Sequence, residues 1–126
     1  MGEVGIYEGE RQKWIQYDED TEVLIRLISK EELRKILIKA QKSAKLTGSH
    51  ADNYADQLLG RAAVKGWRKI DRHEHPGLTV GGKPLPFTPE NIDLLMKGSL
   101  KFSRFVNDSA VAEDEFADGA EDEKNV

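Results

Sequence analysis

The chain has 126 residues, enough for one modest core and too few for two domains of ordinary size. It contains no cysteine, which excludes disulfides, thiolate nucleophiles and cysteine-based metal centres and makes a reducing, intracellular setting the simplest expectation. A formal net charge of −4 gives no overall electrostatic pull toward nucleic acid.

Residues 1–28 read as short strands: Val4 to Tyr7, Trp14 to Tyr17, and Val23 to Ile28, separated by the charged, turn-like EGERQ and DEDT. A small antiparallel meander is expected. In the third piece Val23, Ile25 and Leu27 share one face, while Leu24 and Ile28 join Glu22 and Arg26 on the other, so both faces are partly covered. The N-terminus lacks a basic region followed by an apolar run, and no stretch approaches the length of a membrane span. Neither secretion by that route nor membrane insertion is expected.

Ser29-Lys30-Glu31-Glu32 reads as a capping box, with Ile28 and Leu33 spaced for a hydrophobic staple. The first helix follows, with Leu33, Ile36, Leu37, Ala40 and Ala44 at helical spacing and Gly48 as its stop. A second helix is expected from about His50 to Lys65, ended by Gly66. Between the second and third helices, Trp67 to Ile70 and Leu78 to Leu85 read as extended pieces of a hairpin-like loop turning at Gly81-Gly82. Pro84 and Pro86 hold the chain extended up to Phe87. Thr88 then stands as N-cap, Pro89 at the first helical position, and Phe87 and Ile92 at staple spacing, for a third helix from Thr88 to Lys97. A fourth, carrying Leu100, Phe102, Phe105 and Val106, fades after Ser109.

The expected fold class is α+β and predominantly helical: a small N-terminal β-meander, then about four helices. One folded domain spans residues 1–107, with strands in 1–28 and mainly helices in 29–107. Residues 108–126 hold eight carboxylates (Asp108, Glu113, Asp114, Glu115, Asp118, Glu121, Asp122, Glu123) against Lys124, a local charge of −7. The other 107 residues therefore carry +3. So acidic and Ala-rich a tail is expected to be disordered, because it cannot bury enough apolar surface to offset ordering entropy.

No catalytic residue, cofactor or metal site is predicted. His73 and His75 alternate in Asp71-Arg72-His73-Glu74-His75, but Arg72 intrudes, and a solvated loop is the simpler reading. Neither GxSxG nor a phosphate-binding glycine loop occurs. The first two helices outline a helix-turn-helix, the basis of an alternative reading as a small prophage-encoded DNA-binding regulator. Against it, Asp52 and Asp56 flank Asn53 and Gln57 where phosphates would approach, so nucleic acid is not the expected partner.

The succession VLIRLISKEEL, YADQLLG, Lys65-Gly66-Trp67 and above all GKPLPFTPENIDLLMKG resembles the tail assembly chaperones of long-tailed bacteriophages and prophages, over roughly residues 14–107. The resemblance implies a non-enzymatic helper in the bacterial cytoplasm, absent from the mature virion, with the tape-measure protein and tail-tube protein as partners. An exposed apolar patch of the kind such a helper needs also favours self-association. Trp67 and Phe87, with exposed positions of the first two helices, are the expected partner contacts.

Overall fold

The computed structural model describes residues 11–48, 50–114 and 116. The expected strand at Val4 to Tyr7 lies outside them, as do residue 115 and residues 117–126 of the acidic tail. The elements are β1 (Gln12–Gln16), β2 (Thr21–Arg26), α1 (Lys30–Thr47), α2 (Ala51–Ala63), β3 (Val64–Lys69), β4 (Thr79–Val80), β5 (Lys83–Pro84), α3 (Pro89–Gly98) and α4 (Leu100–Ala110). The class is α+β, as the sequence implies; the described residues form four helices, a three-stranded antiparallel sheet of order β1-β2-β3 and a two-stranded β4-β5 hairpin.

β1 and β2 are joined by an Asx-type turn in which the Asp18 carboxylate accepts from the backbone N–H groups of Asp20 and Thr21, at 2.9 and 2.8 Å. The alternation of β2 then separates its faces. Thr21, Val23 and Ile25 are fully buried against the helices, while Glu22, Leu24 and Arg26 on the opposite face are half-buried, matching the two-sided cover expected from sequence.

The third strand of the described sheet comes from beyond the helices. α2 ends at Ala63, not Lys65, and Val64 turns extended (φ −84°, ψ 118°) to pair with Ile25. Gly66, expected to stop a helix, instead lies inside β3 opposite Leu24, next to an irregularity in the ladder. Tertiary burial outweighs helical period here. Val64 and Trp67 both enter the core, and a β-branched residue with a glycine two positions on gives up helix at small cost. A Cβ added at Gly66 would meet the Trp14 Cη2 atom at 3.4 Å, an ordinary van der Waals contact.

Three helix starts are capped as their sequences require. Ser29, Thr88 and Ser99 accept at 3.1 Å from the backbone N–H of Glu32, Asn91 and Phe102. The box at Ser29 is only half formed, because the Glu32 carboxylate turns away to the Arg26 guanidinium. Gly48 closes α1 in the left-handed conformation (φ 73°), donating to the Ala44 carbonyl. Gly81 and Gly82 (φ 59° and 79°) make the β4–β5 turn.

The helices cover one face of the sheet. α2 is central, packing against the sheet and against α1, α3 and α4. Leu59, Val23, Ile25, Trp67, Phe102 and Val106 form the middle of the core. α4 runs past the expected domain boundary at residue 107, with Ser109 and Ala110 buried, and Phe116 joins the core at 3% exposure. The folded part therefore reaches at least Phe116. A lone aromatic in acidic sequence can bury enough area to hold the chain down.

Candidate partner-binding surface

Strand alternation puts Trp67 on the helix side of β3, and 5% exposure leaves its ring inside the molecule. Its indole N–H donates to the Leu85 carbonyl at 2.8 Å. That bond ties β3 to the chain leaving β5, eighteen residues later. Phe87, held at the entrance to α3 by the Thr88 cap, meets Trp67 edge to face with ring centroids 4.9 Å apart. The two expected contact residues are thus brought together. They differ in access: Phe87 is 41% exposed, whereas Trp67 positions it from within.

The aromatic contacts continue inward from Trp67 to Phe102 (6.1 Å), and from Phe102 to Tyr17 (5.6 Å). Burial pushes the Tyr17 phenol above its usual pKa; the Ser99 hydroxyl opposes the shift and the Asp18 charge adds to it. Tyr17 and Phe102 form the floor of a groove of about 470 Å³ between the β4–β5 hairpin and α3. Its rim carries Val80 and Leu94, 48% and 51% exposed. Sequence reading missed this pair. Leu94 lies off the Ile92–Met96 stripe that buries α3, which was the available signal.

A second, more polar groove of about 650 Å³ runs between α2, α3 and α4. Both carboxylates that line it, Asp56 and Asp93, are hydrogen-bonded. Asp93 of α3 accepts from Arg61 and Gln57 of α2, and Asp56 accepts from Ser103 and Asn107 of α4. The Arg61 hydrogen bond holds the Asp93 carboxyl below its usual pKa, opposite to the upward shift a proton donor at neutral pH needs.

His73 and His75 do not converge. The His75 Nδ1 atom accepts from the Gly77 N–H at 2.9 Å, while His73 lies in an exposed turn 4.0 Å from Glu22. Among the described residues, no group of three or more His, Asp or Glu side chains could hold a metal ion. No described helix is long and apolar enough to cross a membrane.

No family model, curated protein or solved structure matches the chain.

Proposed function

We propose that this chain is a non-enzymatic tail assembly chaperone of a long-tailed bacteriophage or prophage. In this reading it acts in the bacterial cytoplasm, binds the tape-measure protein, helps recruit tail-tube subunits, and is absent from the finished virion. One observation carries the proposal. The two segments on which the resemblance is most specific, Gly66-Trp67 and Gly82 to Asn91, close on each other through the Trp67–Leu85 hydrogen bond and the Trp67–Phe87 contact. Asn91 adds a bond of 2.8 Å from its side-chain amide to the Pro86 carbonyl. That these two segments meet in one junction beside a partly apolar groove supports the reading.

That groove suits an amphipathic partner helix, whose apolar stripe would cover Val80 and Leu94 and exclude water from them. No specific observation favours the DNA-binding alternative. α2, the helix that would have to enter a DNA groove, is packed by α1, α3 and α4, and Gln57 and Arg61 on its exposed stripe are bound to Asp93.

The test is co-expression with the long helical protein encoded immediately downstream. The chain should co-purify with it and keep it soluble, and Leu94→Glu should abolish capture while leaving the chain's own melting temperature unchanged. Failure of the unaltered chain to capture or solubilise that protein would overturn the proposal.

A further inference from the structure

The groove between the β4–β5 hairpin and α3 carries a single charge in its lining. Around the floor of Tyr17 and Phe102 and the rim of Val80 and Leu94, Asp18 is the one ionised side chain. Asp18 opens the β1–β2 turn and Glu19 and Asp20 follow it, all three exposed. Among the described residues none of the three has a salt-bridge partner. The turn bonds from the Asp20 and Thr21 N–H groups both fall on Asp18 Oδ1, which leaves Oδ2 for another donor.

The carboxylate is felt inside the groove, because burial and, after it, the Asp18 charge raise the Tyr17 pKa. A cation already comes to that floor. The Lys101 ammonium stands 4.8 Å from the centre of the Tyr17 ring. One cation against three carboxylates leaves this side of the groove at −2. The neighbouring turn, joined by the Ile70 N–H to the Asp20 carbonyl, adds Asp71 and Glu74 against Arg72. On the hairpin side the sign changes, with Lys83 as the cross-strand neighbour of Val80.

We infer that the occupant of this groove is an amphipathic helix of a partner protein that carries Lys or Arg beside its apolar stripe, where they meet Asp18, Glu19 and Asp20. The stripe covers Val80 and Leu94 and supplies affinity, while the cations set the direction in which the helix lies and turn away acidic helices. An acidic turn by itself is simply solvated; the apolar floor beside it is what makes a cation-bearing helix fit. This inference rests on the groove being the partner site of the proposed function, and adds which partner helices it accepts.

Two synthetic helical peptides of about 18 residues test it, sharing one leucine stripe and differing beside it, with Lys in one and Glu in the other. Fluorescence anisotropy with the full chain at low salt should give the Lys peptide a roughly tenfold lower Kd, since each exposed charge pair contributes only a few-fold. At about 1 M salt, where the screening length falls to about 3 Å, the ratio should drop below about twofold. Asp18→Asn, Glu19→Gln and Asp20→Asn together should lower the ratio in the same way with the melting temperature unchanged, because Asp18→Asn keeps a side-chain oxygen for the turn. Leu94→Ser should weaken both peptides several-fold. Equal binding of the two, tighter binding of the Glu peptide, a ratio unmoved by salt or by the triple substitution, or no binding of either would each overturn the inference. So would salt-sensitive self-association abolished by Leu94→Ser, which would give the groove to a second copy. Failure to capture the protein encoded downstream bears on the proposed function alone, because the peptide ratio is measured without that protein.

Discussion

Trp67 does more than fill space. Its N–H satisfies the Leu85 carbonyl at a position where both residues are buried, and its ring edges meet Phe87 and Phe102. Trp67→Phe keeps an aromatic ring but leaves that carbonyl without its partner and opens a small void. Urea titration should then show a loss of roughly 2–3 kcal/mol in unfolding free energy. A loss below about 0.5 kcal/mol would mean the bond contributes nothing net. Gly77 is constrained twice over. Its φ of +80° is strained for residues with a side chain, and a Cβ there would meet Thr21 Oγ1 at 2.7 Å. Such residue-scale features were only half legible in sequence. An aromatic after a glycine announced importance, but whether Trp67 faced a partner or the core depended on the strand's register.

The latch between α2 and α3 sets the acid behaviour expected at the scale of elements. The Arg61 hydrogen bond lowers the Asp93 pKa from 3.8, so the folded state gives up this proton more readily than the unfolded chain does. Its stabilisation is therefore fully present above about pH 3.8 and is lost as pH falls through the lowered folded value. Thermal melts of Asp93→Asn from about pH 6 down to about pH 2 should show the variant less stable at the upper end, with the difference closing as acid protonates Asp93. A constant difference across that range would show the ion pair plays no part. The half-exposed Arg61 side chain keeps the effect small and salt-sensitive. Helix entries were the most legible elements. The caps at Ser29 and Thr88 act within three residues, so their signals are local. The end of α2 was not legible, because strand pairing across the fold took Val64 and Lys65 away from a helical pattern.

For the molecule as a whole, stability is expected to be uneven. α2 is held on several sides, but α1 rests chiefly on α2 and leaves Leu37, Ile38 and Leu46 exposed. Native-state hydrogen exchange should therefore release α1 amides earlier than those of α2 or β2. Equal protection of all three would indicate that α1 opens only with the whole domain. Composition and short-range pattern alone determined the helices, their caps, the Gly81-Gly82 turn and the acidic end, because each signal acts over a few residues. Tertiary structure decided the rest: β3 as the third strand, Trp67 inside and Phe87 at the surface, and the groove under Val80 and Leu94. Those outcomes depend on groups separated by many positions in the chain, and the burial and hydrogen bonding that join them exist only once the helices cover the sheet.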